Sequence, residues 1–284
     1  MDINAFTVLP MSQRFSLAAG KTEKGSIKIV NPADATEDFS YKIGISPYGV
    51  VGEDYEADLV TDSNHTMIAK WIKISEPTGK IKPNETKEIE FTIEVPENAP
   101  AGGQYAAITV SSNNEAKQSS GVAVQNVFEM ASIVYATVAG ETNHEGEVLE
   151  NNIPGFVVAP PITLSALIEN KGNVHADATF VIAVSDFFSG RVILPTEEDE
   201  GEYSEIIMPD TTRHIEREVS NLPSLGVVKI SQTIYYNGVA NTQEKTVIIC
   251  PIWFLALVIA TLAAIIAAVV RIVLKHKKNK KIDV

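Results

Sequence analysis

The residues able to do chemistry are sparse and scattered. Five histidines, His65, His144, His175, His214 and His276, stand far apart in sequence. No two are at the spacing with which one helix turn or one hairpin presents paired ligands. A single cysteine, Cys250, excludes an intrachain disulfide and every CxxC redox or zinc motif. The chain contains no GxSxG, HExxH, phosphate-binding Gly-rich loop, GxGxxG or EF-hand loop. Two acidic groups have oxygens to offer a calcium ion, Glu197-Glu198-Asp199-Glu200-Gly201-Glu202 and the trio Asp58, Asp62 and Asn64. Both read as solvated loops, the usual meaning of a charge run. Asn64-His65-Thr66 and Asn84-Glu85-Thr86 have the form of glycosylation acceptors. The sequence thus predicts no catalytic residue, no metal, no cofactor and no enzyme.

The elements that would position any site are short strands. In Glu88–Val95, Ile89, Phe91, Ile93 and Val95 alternate with polar neighbours, the pattern of a half-buried strand. Pro96 ends it, and PENAPAGGQ leads into a second strand, Tyr105–Val110, whose opening Tyr suggests the tyrosine corner of an immunoglobulin-like sandwich. Further strands are predicted at Phe6–Leu9, Arg14–Ala18, Gly25–Val30, Phe39–Ser46 and Lys70–Ser75. Val122–Val138 is read as one long strand, because Val122, Val124, Phe128, Met130, Val134 and Val138 share one parity.

An internal echo organises these strands. Ile27-Lys28-Ile29-Val30-Asn31 matches Ala166-Leu167-Ile168-Glu169-Asn170, and the same offset lays Phe39, Tyr41, Ile43 and Ile45 on Ala178, Phe180, Ile182 and Val184. Each copy runs strand, Asn at a turn, second strand. The expected fold is mainly β. Two Ig-like antiparallel β-sandwich domains, 3–141 and 142–246, are followed by a transmembrane α-helix at 247–270 and a basic tail at 271–284.

Charge and hydropathy divide the chain in the same way. The formal net charge is −13 and the mean hydropathy +0.05. Val247 to Val270 carries no charged residue, enough for the roughly 20 residues that cross a bilayer. Pro251 near its start suits a first helical turn, and Trp253 suits the lipid–water interface. Arg271, Lys275, Lys277, Lys278, Lys280 and Lys281 follow, giving the tail +5 against Asp283 and leaving −18 on the rest. Basic flanks stay cytoplasmic, so the sequence predicts a single-pass plasma-membrane protein with its acidic bulk outside and its tail touching membrane lipid. MDINAFTVLPMSQRF lacks the apolar stretch of an export signal; the expectation is a signal missing from this chain, removed or truncated, and the alternative is a tail anchor with its bulk in the cytosol. The acidity excludes nucleic acid as a partner.

Several segments together resemble the bacterial WxL-interacting surface proteins. They are Phe6-Thr7-Val8-Leu9-Pro10 with Gln13, Tyr55 after Gly49 and Gly52, Trp71, and Val95-Pro96 with Gly102-Gly103-Gln104-Tyr105. The second half adds Glu169-Asn170-Lys171-Gly172-Asn173-Val174-His175 and Ser185-Asp186-Phe187-Phe188-Ser189-Gly190. The resemblance implies a peptidoglycan-binding first domain and a host- or partner-binding second domain, hence a non-catalytic adhesion protein that binds the cell wall or another surface protein. It carries over no binding residue. The alternative expectation is an envelope chaperone or assembly subunit that holds exported partners by strand-edge addition.

Overall fold

Strand propensity and alternation decide the architecture of this computed structural model, which describes residues 6–112, 129–196 and 199–280. In chain order the first strands are β1 (Thr7–Leu9), β2 (Ser12–Leu17), β3 (Thr22–Asn31), β4 (Phe39–Pro47), β5 (Gly49–Val51) and β6 (Glu56–Asp58). A 3₁₀ turn at Met67–Lys70 precedes β7 (Ile72–Ile74), β8 (Thr78–Ile81), β9 (Glu85–Glu94), β10 (Gly102–Ser112) and β11 (Glu129–Val138). Then come β12 (Gly146–Asn152), β13 (Phe156–Val157), β14 (Ile162–Asn170), β15 (Ala176–Asp186), β16 (Val192–Leu194), β17 (Glu202–Ile207), β18 (Thr211–Val219), β19 (Gly226–Tyr236) and β20 (Val239–Ile249). One helix, α1 (Ile252–Lys280), closes the described chain. The fold is therefore mainly β with a C-terminal apolar helix, as the alternation predicts.

Two compact units emerge. Unit 1 comprises Met1–Glu147, Ile168–Asp177 and Ile206–His214; unit 2 comprises Val148–Leu167, Ala178–Glu205 and Ile215–Val284. In unit 1 a sheet ordered β1-β3-β9-β7 faces one ordered β2-β11-β10-β4-β8. Ile27 and Ile29 of β3, Ile89, Phe91 and Ile93 of β9, and Tyr41, Ile108 and Val134 of the second sheet share one core. These are the alternate residues that the hydrophobic period selects. Unit 2 has its own core, in which Leu164 of β14 and Val219 of β18 meet Ile182, Val184, Ile230 and Val247 of the sheet that carries β15, β19 and β20.

Two pairings are parallel. β2 runs parallel to β11, with Ser12 opposite Ile133 and Leu17 opposite Val138, and β13 runs parallel to β20. Such pairings join segments distant in sequence, which turn chemistry cannot signal. Val122, Val124 and Phe128 of the expected long strand lie outside the described residues. Met130, Val134 and Val138 follow the expected parity toward the core.

The internal echo has a physical counterpart. Asn31 and Asn170 are each only 1% exposed. Asn31 Nδ2 donates to Glu37 O and Ile81 O, at 3.1 and 3.0 Å. Asn170 Nδ2 donates to Val174 O and Ile207 O, at 2.9 and 3.0 Å. Each Asn ends a strand by tying the following loop to the last carbonyls of a neighbouring strand. In both copies the paired positions Phe39, Tyr41 and Ile43 and Ala178, Phe180 and Ile182 are buried.

Candidate functional site

Two segments singled out by sequence meet in unit 1. Gly103 N donates to Asn173 O at 2.7 Å, and Tyr105 Oη accepts from His175 N at 2.9 Å. A Cβ at Gly102 would stand 2.8 Å from Asn173 O, and the φ of +112° at that position suits glycine alone. Tyr105 is thus no corner on its own sheet, as its place after a loop suggested; its hydroxyl reaches another segment. Its Oη also stands 3.2 Å from His175 Nδ1. Burial holds the imidazole pKa below its usual value and raises the Tyr105 phenol above its own. Burial raises the Tyr135 phenol likewise. The Nδ1 of a neutral ring can accept the phenol's hydrogen bond, and the pair braces the contact between the two segments. The rings pack edge-on, with Tyr105 to Tyr135 centroids 5.9 Å apart.

Beside it Arg14 grips Asp177 with two parallel bonds of 2.6 Å. The side-chain hydrogen bond from Arg14 holds the Asp177 carboxyl below the usual carboxylate range. Both partners are about half-exposed, so the fork fixes direction more than it adds stability. A cavity of about 310 Å³ lies in the same unit, lined by Tyr48, Asp58, His65, Tyr105 and Met208 among others. In it His65 Nδ1 stands 2.9 Å from Gly103 O and His65 Nε2 3.6 Å from Asp210 Oδ2. Asp58 Oδ1 accepts from Val60 N and Thr61 N, a turn-closing role that accounts for this acid. Among the described residues no group of three or more His, Cys, Asp or Glu could hold a metal ion.

A backbone feature is chemically more telling. Ile133 N donates to Met11 O at 2.9 Å, so the odd residues of β11 point their backbone groups toward β2. The β2 ladder stops at Ile133. Glu129 and Ala131 therefore turn their N–H and C=O groups outward beyond its end, and among the described residues no strand pairs with them there. On its other side β11 is paired with β10 from Val138 to Glu129. The site is a firmly backed strand whose outer edge, among the described residues, is unpaired over Glu129 to Ala131. The parity that sequence reading noticed was its signal; the open edge itself depends on where β2 stops.

The expected anchor residues are distributed differently than the hydropathy suggested. Val247 belongs to β20, is fully buried and packs in the core of unit 2. β-branched Val247-Ile248-Ile249 extends the ladder with β19, and Cys250 N, on a buried residue, still bonds Val157 O at 2.9 Å. Pro251 O then accepts from Phe254 N and Leu255 N, starting the helix. Ile252–Ile272 is long and apolar enough to cross a membrane, and none of it is buried. It includes Trp253, Val270 and Arg271; Lys275, Lys277, Lys278 and Lys280 lie on later turns of α1, and Lys281 lies outside the described residues. Of the acidic run, Glu197 and Glu198 lie outside the described residues, while Asp199 accepts from Arg217 Nη2 at 3.3 Å.

No family model matches the sequence, and no curated protein does. Solved structures similar to the chain include the class 5 fimbriae chaperone CfaA, at 15% identity over 85% of this chain and 99% of that one, with a TM-score of 0.40. A chain of the Salmonella enterica SafA pilin–SafB chaperone complex is 8% identical over 87% of this chain and 98% of its own, with a TM-score of 0.41. A chain of the CsuC–CsuE chaperone–tip adhesion subunit complex of Acinetobacter baumannii is 14% identical over 85% and 98%, with a TM-score of 0.38. The resemblance to WxL-interacting surface proteins is therefore withdrawn: no model of any family matches, and the similar structures are of other proteins. Peptidoglycan as partner, cell-wall binding and adhesion, which rested on it, fall with it. The short turn motifs that carried the resemblance are fold-makers: Gly172 N bonds Asn170 Oδ1, Ser189 N bonds Asp186 Oδ1, and Asn173 Nδ2 bonds the more distant Glu141 O.

Proposed function

We propose that this chain is a non-catalytic, membrane-anchored holding protein of the cell envelope. It binds an exported surface-protein subunit by strand-edge addition. The observation that carries the reading is the open edge of β11 at Glu129 and Ala131, backed by the full β10 ladder. An extended guest strand gains main-chain hydrogen bonds from such an edge and specificity from pockets for alternate side chains. Met130 presents an apolar side chain toward the core at this point. The sequence before it repeats that parity at Phe128, Val124 and Val122.

In this reading two Ig-like sandwiches face the outside of the cell. The helix spans the membrane from Pro251 and Trp253 to Val270 and Arg271, and the Lys-rich tail lies in the cytoplasm. The length of Ile252–Ile272, its lack of buried residues and the basic residues after it support this orientation.

The test uses the full chain in its own cells, with a photocrosslinking amino acid at Ala131 or, as control, at the exposed Lys28 of β3, a strand paired on both sides. Crosslinks to an exported protein from 131 alone are expected. Loss of that same protein's yield when Ala131→Pro removes the edge N–H completes the expected result. Equal crosslinking at both sites, or an unchanged partner level in the A131P strain, would overturn the reading.

A further inference from the structure

One end of unit 2 differs from the rest of this acidic chain. The β15–β19–β20 sheet sets Phe187 N on Val227 O at 3.0 Å, Val227 opposite Ile248, and Gly226 opposite Ile249. Only Cys250 and Pro251 separate Ile249 from the first residue of α1. The turn after β15 and the loop before β19 thus end on the row of the sheet from which the helix departs. At roughly 3.4 Å per extended residue, that row and the helix start are about 10–15 Å apart. β13, parallel to β20, delivers Val158 to the same end, because Cys250 N bonds Val157 O.

Apolar groups are held outward there. Phe188 is 80% exposed and Phe187 52%, their rings edge-on at 5.3 Å. Val158 and Leu225 are also exposed. The Phe pair is not on a loose loop. Asp186 Oδ1 accepts from Phe188 N, Ser189 N and Ser189 Oγ, at 3.1, 2.7 and 2.6 Å, fixing the turn that carries both rings. The three loops at this end, residues 158–161, 187–191 and 220–225, contain no Asp or Glu and one Arg, Arg191; the adjoining Asp186 spends its carboxylate on the turn. The 270 residues before the tail carry −18, so these loops are poor in acid for this chain. Neutral polarity, exposed aromatics and one guanidinium fit a lipid headgroup layer.

We propose that this end of unit 2 docks on the outer surface of the bilayer. Phe187, Phe188, Val158 and Leu225 enter the interface beside the helix, and Arg191 lies at the phosphate level. The inference rests on the membrane-span reading of α1. It assigns the bilayer to a surface that would otherwise expose a paired aromatic tip to water. Trp253, at the helix start, marks the same depth.

The test places an environment-sensitive fluorophore on the full chain in phosphatidylcholine nanodiscs, in a Cys250→Ala background. The labelled variants are Ser224→Cys in the docking end, Ala240→Cys at the far end of the β19–β20 hairpin and Ala264→Cys within α1. Doxyl-labelled lipid should quench the labels at 224 and 264 and leave the label at 240 unquenched. Replacing both Phe187 and Phe188 by Ser should cut quenching at 224 by at least about twofold. These side chains lie outside both cores, so the fold is expected to survive. Quenching at 264 without quenching at 224 overturns the docking and leaves the span standing. No quenching at 264 overturns the span and the docking with it. Equal quenching at 224 and 240 also overturns the docking, because contact would not be confined to this end.

Discussion

Replacing Asn170 by Ala should destabilise unit 1 by about 3–5 kcal/mol, an unusually large effect for one polar side chain. The side chain is nearly fully buried and makes three bonds: Nδ2 to Val174 O and Ile207 O, and Oδ1 from Gly172 N. Ala orphans two carbonyls and one N–H. Each orphaned group costs roughly 1–3 kcal/mol, less for a carbonyl with a second lone pair to use. For Asn31, its counterpart, the bonds among the described residues are the two that Nδ2 donates. The N31A variant should therefore lose about 1–2 kcal/mol less, the difference being the Gly172 N–H. The assay is urea unfolding of the detergent-solubilised full chain with Trp253 replaced by Phe. That leaves Trp71, itself buried in the unit 1 core, as the only tryptophan. An Asn170→Asp variant adds a sign test. A carboxylate cannot donate to the two carbonyls, so the folded state raises its pKa. Such a variant keeps most stability below the unfolded value near 3.9 and loses it as pH rises through the folded value. It should approach N170A at neutral pH and exceed it in acid. Losses equal for N31A and N170A, or a loss at position 170 under about 1 kcal/mol, would refute the reasoning.

Four smaller tests address the other contacts. His175 has its pKa lowered by burial, so its contribution is present above the usual value of 6.5 and is lost as pH falls. Midpoints measured between neutral and mildly acidic pH should fall in the wild type and fall less in H175F. Tyr105→Phe should cost about 1–3 kcal/mol by orphaning His175 N. It should also blunt alkaline unfolding, because a phenol whose pKa is raised supports the fold below its unfolded value of 10 and loses that support as pH climbs. Arg14→Lys should cost no more than about 1 kcal/mol, because the fork is lost but the pair is half-exposed. Val247→Ser should lower the stability of unit 2 by about 1–3 kcal/mol, whereas Leu257→Ser should leave it unchanged and weaken membrane retention; the reverse would restore Val247 to the anchor.

Much of the architecture was legible because burial imposes a period of two. The alternation in Glu88–Val95 marks β9, and the echo picks out Asn31 and Asn170, whose equivalence the hydrogen bonds bear out. Boundaries decided by register were less legible. Val247 reads as part of an apolar span because hydropathy does not separate a core strand from a helix that follows after two residues; the ladder with β19 separates them. The union of Gly103 with Asn173, and of Tyr105 with His175, joins residues 70 apart, which no local pattern encodes. The open edge at Glu129 and Ala131 was hidden for the same reason, because it depends on where the distant β2 stops. The resemblance failed for a related cause: turn residues such as Asn and Gly recur wherever strands reverse, so they mark a β protein more than a lineage.

The parallel pairing of β2 with β11 also sets a clock. Ser132 Oγ bonds Pro10 O, a partner 122 residues earlier, and the ladder beyond it cannot form until β11 has emerged. At roughly 5–20 residues per second of synthesis, β2 waits about 6–25 s for its partner. Throughout that interval Ser12–Leu17 is an unpaired strand of a slow, non-local topology, and the growing chain itself needs protection from pairing with the wrong neighbour.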